Sequence, residues 1–173
     1  TLQELYLQQN RIADVGAQHI GKALETNRTL TRLEIHTNQI GPIGAEHLAE
    51  ALKVNTVLKE LRLYTNQIGD IGARHLADAL ARNQTLKDLD LRSNQIGENE
   101  AQHLANALTV NRSLTIIRLD WNQIGDNGAQ KLAEMLRTNQ KQFEDIQNET
   151  IYDQIAKLQV CMNKTFEEMI SFR

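Results

Sequence analysis

The sequence contains one cysteine and one proline in 173 residues, and its acidic and basic side chains nearly balance. A single cysteine cannot form an internal disulfide, which excludes a small secreted scaffold held by disulfide bonds. No apolar run reaches the ~18 residues that span a bilayer, and the first residues do not resemble a signal peptide. The net charge of −3 favours binding neither to nucleic acid nor to an anionic membrane.

What the sequence does contain is a repeat of 28 residues whose length never changes. Each copy follows the pattern L-x-x-L-x-L-x-x-N-x-I or a near match, which is the signature of a leucine-rich repeat. We divide the chain into five such repeats and treat residues 141–173 as a separate C-terminal helical cap or linker. The repeats span residues 1–28, 29–56, 57–84, 85–112 and 113–140.

The second repeat indicates which structure the pattern encodes. Leu33 and Ile35 alternate with polar residues, as in a strand with one buried face. After a turn at residues 38–41, apolar side chains recur at helical spacing from about Ile43 to Val54. We therefore expect each repeat to form a strand, a turn and a helix.

One strand–helix unit cannot bury both of its apolar faces, so we expect the five units to stack side by side. Parallel strands lie ~4.8 Å apart whereas packed helices need ~8–10 Å, and this difference bends the array with the sheet inside. The predicted fold is α/β: a right-handed leucine-rich repeat solenoid with a parallel concave sheet, convex helices and a C-terminal helix.

Two asparagine positions recur in every repeat and are predicted to be structural, because an amide can both donate and accept hydrogen bonds in a turn. The strand-exit asparagines are Asn10, Asn38, Asn66, Asn94 and Asn122. The helix-exit asparagines are Asn27, Asn55, Asn83, Asn111 and Asn139.

The run N-x-I-G-x-x-G-A-x-x-L-A-x-A-L, from Asn66 to Leu80, resembles the ribonuclease-inhibitor class of leucine-rich repeats. Over residues 1–140 the chain is most similar to the repeats of NOD-like receptors, and more generally to ribonuclease inhibitor and the Ran GTPase-activating protein. The resemblance implies a cytoplasmic protein that binds other proteins. No G-x-x-x-x-G-K-[ST] nucleotide-binding motif is present, so the resemblance fits a part of a NOD-like receptor or a related cytosolic regulator, not a complete receptor.

The two ends of the chain depart from the repeat. Thr1 begins directly on a strand, and because terminal repeats need polar caps, we expect the chain to be a fragment of a longer array. Residues 141–173 carry an apolar stripe at helical spacing. It fits a helix that closes the last repeat, a segment for a partner or self-association, or a disordered tail. The stripe consists of Ile151, Ile155, Leu158, Met162, Phe166 and Met169.

The outward-facing strand residues form the predicted binding surface. All three aromatic residues of the repeats fall on it, and exposed Trp, Tyr and Arg are enriched at binding hot spots. The alternative is that its opposite charges only neutralise their neighbours on adjacent strands. The candidate partner-binding residues are Tyr6, Glu34, His36, Arg62, Tyr64, Asp90, Arg92, Arg118, Asp120 and Trp121.

No catalytic, cofactor or metal site is expected. Histidines recur at one helix position, but neighbouring helices ~8–10 Å apart hold them too far apart to share a zinc ion. Cys161, the only thiol, lies in an apolar stretch that favours a buried structural role. We therefore expect a non-catalytic module that binds a protein, with no nucleic acid or membrane partner. Its oligomeric state stays open, with a contact through the C-terminal helix as one option. The alternatives are a regulator resembling the Ran GTPase-activating protein, or an array that supports a larger receptor and binds nothing itself.

Overall fold

The computed structural model describes the backbone of residues 2–142 and the side chains of residues 2–135. Within this part of the chain, five three-residue strands alternate with five helices. The strands are β1 (Glu4–Tyr6), β2 (Arg32–Glu34), β3 (Glu60–Arg62), β4 (Asp88–Asp90) and β5 (Ile116–Arg118). The helices are α1 (Ala13–Thr26), α2 (Pro42–Val54), α3 (Gly69–Leu80), α4 (Glu98–Leu108) and α5 (Gly125–Gln142).

Two sequence predictions concern the C-terminal part of the chain and membrane insertion. The helical stripe predicted for residues 151–169 lies outside the described residues, so its alternative roles stay predictions. Among the helices that are described, none combines the length and the apolar character required to cross a membrane.

The five strands form one parallel sheet in the order of the sequence, β1-β2-β3-β4-β5. The register does not shift from one pair to the next, so equivalent residues of successive repeats are neighbours. The predicted strand–helix solenoid with a parallel sheet is therefore confirmed. The central row of the sheet consists of Leu5, Leu33, Leu61, Leu89 and Ile117.

The core lies between the sheet and the helices. Leu33 and Leu61 of the strands and Leu48 of α2 are completely buried. Small residues let neighbouring helices approach closely, and Gly21 of α1 illustrates this. A side-chain carbon at that position would lie 2.7 Å from the carbonyl oxygen of His47 in α2, too close for any residue but glycine.

The strand-exit asparagines join each repeat to the preceding one. Asn66 Oδ1 accepts hydrogen bonds from the backbone N–H groups of Asn38 (2.9 Å) and Ile40 (3.0 Å). Its Nδ2 donates to the carbonyl oxygens of Ile35 (3.2 Å) and Leu63 (2.8 Å). The side chain thus satisfies buried backbone groups that the short strands leave unpaired, which confirms the predicted structural role.

The helix-exit asparagines bond to the end of the preceding helix. Asn55 Nδ2 donates to the carbonyl oxygen of Leu24 in the last turn of α1 (2.7 Å). Its Oδ1 accepts from the N–H groups two and three residues later (2.9 and 2.8 Å). Asn83 and Asn111 repeat these bonds, so a helix carbonyl that would lack a partner is satisfied.

Aspartates cap the helices of the neighbouring repeat. Asp14 Oδ1, at the start of α1, accepts from the N–H groups of Gly41 (2.7 Å) and Gly44 (2.9 Å) at the start of α2. Asp70 of α3 likewise accepts from Gly97 (2.6 Å), directly before α4. These carboxylates satisfy N–H groups that have no partner within their own helix.

Two kinds of turn alternate along the array, although every repeat has 28 residues. In the first, third and fifth repeats, the helix begins at a residue with positive φ: Ala13 (49°), Gly69 (59°) and Gly125 (61°). In the second and fourth repeats, the positive φ falls earlier, at Gln39 (59°) and Gln95 (60°). The expectation of one uniform unit is therefore incomplete, because the structural repeat is a pair of units.

Candidate functional site

The strand register brings the predicted binding residues together on the sheet face turned away from the helices, here called the concave face. Tyr6 lies opposite Glu34, and Glu34 lies opposite Arg62. Arg62 lies opposite Asp90, which in turn lies opposite Arg118. The predicted column of residues therefore exists as a row of direct neighbours across five strands.

A chain of ion pairs occupies the centre of this face. Asp88 Oδ1 accepts from Arg62 Nη1 (2.5 Å) and from Arg118 Nη1 (2.6 Å). Arg62 also contacts Glu60 (3.1 Å), which contacts Arg32 (3.4 Å). The charges therefore neutralise one another, as the alternative interpretation expected. Asp88 lies diagonally across the strands from Arg62 and Arg118, whereas Arg32 and Glu60 are directly opposite each other.

Asp90 is not available to a partner. Its side chain is held by Arg92, with Nε 2.9 Å from Oδ1 and Nη2 2.6 Å from Oδ2. The hydrogen bond to Asp90 also raises the pKa of Arg92 above its ordinary value. Asp90 is only 1% exposed, so its assignment to an exposed binding surface was wrong: its neighbour covers it.

His36 is also buried, contrary to the sequence prediction. Its ring stacks on that of Tyr64, with the centroids 3.8 Å apart, and Tyr64 Oη lies 2.8 Å from His36 Nε2. Arg92 covers the Tyr64 ring, with Cζ 5.0 Å from the centroid. Burial lowers the pKa of His36, although the nearby Glu34 and Asp90 carboxylates oppose this shift. The stack leaves His36 6% exposed.

Two aromatic side chains are exposed near the first and the last strand of the sheet. Tyr6 on β1 is 49% exposed and Trp121, after β5, is 65% exposed. The Tyr6 hydroxyl donates to Glu4, and Arg32 Cζ lies 5.9 Å from the Tyr6 ring centroid. Tyr64, near the middle, is half-buried. Of the three predicted aromatic residues, the structure therefore presents the outer two to solvent.

The backbone at Trp121, and at the equivalent residue of each other repeat, has an unusual conformation. Its φ is 61°, in the left-handed region that side-chain-bearing residues rarely adopt. Equivalent residues with φ between 52° and 58° are Gln9, Thr37, Thr65 and Ser93. The backbone is therefore common to all repeats, and only the fifth places a large aromatic residue there. The conformation belongs to the turn of every repeat, and only the side chain distinguishes Trp121 from the equivalent residues.

A shallow, open groove of about 720 Å³ follows this edge of the sheet in the first three repeats. Most of the residues that line it have amide or hydroxyl side chains, which offer a partner hydrogen-bonding groups. It is lined by Gln9, Asn10, Arg11, Thr37, Gln39, Thr65, Asn66 and Gln67.

The sequence analysis missed a row of exposed aliphatic residues near the helix N-termini. Val15, Ile43 and Ile71 are 67%, 59% and 62% exposed. They occupy the fifteenth position of the first three repeats, where the last two have Asn99 and Asn127. This apolar recurrence was visible in the sequence, but the helical pattern assigned only the core-facing positions. The row is a second candidate contact surface, on the helices rather than the sheet.

The recurring helix histidines do not form a metal site. His19 and His103 are exposed, and His47 and His75 are half-buried, as expected for surface residues of a repeated helix. Among the described residues, no group of three or more potential ligands is close enough to hold a metal ion.

Family profiles match most of the repeat region. A leucine-rich repeat profile matches residues 1–21 and 26–49. A profile described as the TMOD/LMOD leucine-rich domain matches residues 42–144, more than half of the chain. This chain belongs to the TMOD/LMOD leucine-rich domain family. No curated protein sequence matches it.

Solved structures share the fold of this TMOD/LMOD leucine-rich domain at low sequence identity. One is described as leiomodin-1 actin-binding site 2, with a TM-score of 0.73 and 21% identity over 82% of this chain and 83% of that one. Another is the tropomodulin C-terminal domain of Caenorhabditis elegans, with a TM-score of 0.68 and 14% identity over 83% and 87%.

These comparisons support a leucine-rich repeat protein but not a special closeness to NOD-like receptors. The run from Asn66 to Leu80, which carried that resemblance, encodes a turn and a buried helix face. Many leucine-rich repeats need the same residues for the same geometry, so the run identifies the class of repeat better than the family. Nor do the comparisons indicate any catalytic family.

Proposed function

We propose that this TMOD/LMOD leucine-rich domain is a non-catalytic protein-binding module that contacts its partner through the concave face. The observation that carries the proposal is the exposure of Tyr6 and Trp121 on a face whose other aromatic residue is half-buried. An aromatic side chain that contributes nothing to the core is costly to leave in water. Such residues anchor protein interfaces.

The charged side chains at the centre of the face are already paired with one another, so this region does not supply the residues that anchor a partner. Arg62, Arg92 and Arg118 already contact acidic neighbours, so a partner that competed for them would have to break existing pairs. The binding energy in this proposal therefore comes mainly from the two ends of the face. In this proposal the main partner-binding residues are Tyr6, Asp120 and Trp121. The other predicted residues that remain contribute less to binding: Glu34, Arg62, Tyr64, Arg92 and Arg118.

Actin is the first partner to test, and a cytoplasmic location is part of this proposal. The leiomodin-1 structure that shares the fold is described as an actin-binding site, and the concave face here has the exposed aromatic residues that an interface needs. The comparisons give no support to a NOD-like receptor or a GTPase-activating regulator, and neither is part of the proposal.

The experiment compares Trp121→Ala and Tyr6→Ala with a matched control, Val110→Ala. Val110 is 53% exposed near the end of α4, away from the sheet, so its truncation removes a similar exposed apolar group from another surface. Binding to monomeric actin is measured by analytical ultracentrifugation and binding to filaments by cosedimentation. Hot-spot residues cost ~2 kcal/mol or more when truncated, so each aromatic variant should bind at least about tenfold more weakly.

Two results would reject parts of the proposal separately. If neither form of actin binds the unmodified chain, actin is not the partner, and capture of other proteins is tested with the same three variants. If a partner binds Trp121→Ala and Tyr6→Ala as tightly as the unmodified chain, the concave face is not its binding site.

A further inference from the structure

The concave face has more acidic than basic residues, and the acidic residues without an ion pair lie at particular places on it. Six carboxylates and four guanidinium groups lie on it. Within the described part of the chain, all four arginines take part in ion pairs with four of the acids. The paired groups are Arg32, Arg62, Arg92 and Arg118 with Glu34, Glu60, Asp88 and Asp90.

The two surplus carboxylates lie at opposite ends of the sheet. Glu4 begins β1 and accepts a hydrogen bond from the neighbouring Tyr6 hydroxyl. Asp120 follows β5 and is partly exposed. Among the described residues, neither carboxylate has a basic side chain within ion-pair distance. Acidic groups are therefore paired within ion-pair distance in the middle of the face. At the two ends the guanidinium groups act from further away. Arg32 lies over the Tyr6 ring, and Arg92, which is paired with Asp90, lies near enough to Asp120 to interact with its charge.

Each surplus carboxylate has an exposed aromatic residue close to it in the sequence. Tyr6 is two residues from Glu4 and Trp121 directly follows Asp120, and these are the two most exposed aromatic side chains of the repeats. A lysine or arginine can bind such a pair through the aromatic face and the carboxylate together. The combination suits a cation better than it suits an apolar or an acidic group.

The distance between the two ends sets the spacing of the cations. Four inter-strand steps separate β1 from β5, which is ~19 Å at ~4.8 Å per step. In register, Glu4 corresponds to Ile116, so Asp120 lies four residues further along the chain, ~13 Å at ~3.3 Å per residue. The two carboxylates are therefore ~23 Å apart, and two basic residues seven positions apart in an extended chain would span about this distance.

We propose that the concave face binds an extended basic segment of its protein partner, with one lysine or arginine at each end of the sheet. This inference rests on the proposed function, because it specifies the chemistry of the partner at the same face. Attraction arises from the net negative charge of the face, and spacing supplies the selectivity because both cations must bind at once.

The probe is an eight-residue peptide with blocked ends, arginine at both termini and six glycine or serine residues between them. Trp121 is the only tryptophan of the chain, so its fluorescence reports directly on one end of the face. Comparison peptides have one arginine, two arginines three positions apart, or glutamate in place of both arginines. Asp120→Asn and Glu4→Gln remove one carboxylate each, and Asp78→Asn and Glu46→Gln are matched exposed controls on α3 and α2.

We expect the peptide with arginines seven positions apart to bind about tenfold more tightly than the one-arginine peptide and to lose affinity as salt is added. Asp120→Asn and Glu4→Gln should each weaken binding about fivefold, whereas the two control variants should not. Equal binding of the glutamate peptide, no effect of the two variants, or no binding of any peptide would overturn this inference. None of these results decides whether Trp121→Ala weakens actin binding, so the proposed function is judged separately.

Discussion

The asparagine ladders and the concave face are both made of polar side chains that recur every 28 residues, but they differ in what changes from repeat to repeat. The strand-exit position is asparagine in all five repeats, and Asn38, Asn66 and Asn94 are almost completely buried. Positions on the concave face change in size and charge. At the strand position of Tyr6, for example, the five repeats have tyrosine, glutamate, arginine, aspartate and arginine in turn.

The difference separates two uses of a repeated position. An asparagine that bonds to the backbone of the preceding repeat meets the same partner each time, so the same residue is required each time. A concave residue meets only variable side chains or a partner protein, so no single residue is required. Constancy within one chain therefore indicates a structural contact, and variation indicates either a local ion pair or recognition.

The largest expected effect is at Asn66. Asn66→Ala removes four hydrogen bonds from buried backbone groups and should lower the free energy of unfolding by about 3 kcal/mol. Asn10 is the matched control, because it is exposed and its side chain bonds only within its own repeat. Asn10→Ala should cost less than about 1 kcal/mol. Urea denaturation of both variants tests the contrast, and equal losses would contradict it.

The next effect is at the centre of the concave face. Asp88→Asn removes the charge that Arg62 and Arg118 share, and Asp88 is only 7% exposed. We expect a loss of about 2 kcal/mol, since two guanidinium groups lose their common partner. Asp120→Asn, at the unpaired end, should stay within ~0.5 kcal/mol of the unmodified chain. If both substitutions had the same effect on stability, the distinction between centre and ends would be wrong.

A smaller effect is expected at the cap between repeats. Asp14→Ala frees the N–H groups of Gly41 and Gly44 and should destabilise the protein by about 1 kcal/mol, as for other helix caps. Asp78→Ala is the control, because Asp78 is an exposed residue in the middle of α3 and should change stability by less than ~0.5 kcal/mol. Thermal or urea unfolding distinguishes the two. If Asp14→Ala left stability unchanged, these two hydrogen bonds between repeats would not contribute to it.

The smallest effect is a dependence of stability on pH at His36. Its pKa is lower in the folded protein because of burial, so below the ordinary value of about 6.5 the unfolded state binds more protons. Stability should therefore fall as the pH drops from ~6.5 through the lower folded pKa. His36→Gln should flatten this fall, whereas His103→Gln, at an exposed site, should not. The check is the free energy of unfolding measured between about pH 7.5 and 5.5; an unchanged slope in His36→Gln would contradict the assignment.

The sequence predicted the repeat length, the strands, the helices and the columns of the concave face because all of these depend on regular spacing. It did not predict that His36 and Asp90 would be buried. Each is covered by a long side chain from the same face, Tyr64 and Arg92 respectively, and side-chain conformation is not encoded in periodicity.

The alternation of turns could have been found from the sequence. Aspartate occupies the fourteenth position of the first, third and fifth repeats, and Pro42 and Glu98 replace it in the other two. The pattern recurs every second repeat, so a search for one 28-residue unit does not detect it. The exposed row containing Val15 was missed for a related reason, since helical periodicity predicts the core-facing residues and says little about apolar residues elsewhere.

Hydroxyl-radical footprinting with and without monomeric actin tests most directly whether recognition takes place on the concave face. In the free chain, Trp121 and Tyr6 should be oxidised faster than the half-buried Tyr64, in line with their exposure. With actin bound, we expect oxidation of Trp121 and Tyr6 to slow while that of the exposed helix residues Ile43 and Ile71 stays the same. Slower oxidation at Ile43 and Ile71, with Trp121 and Tyr6 unaffected, would place the interface on the helices and contradict the account.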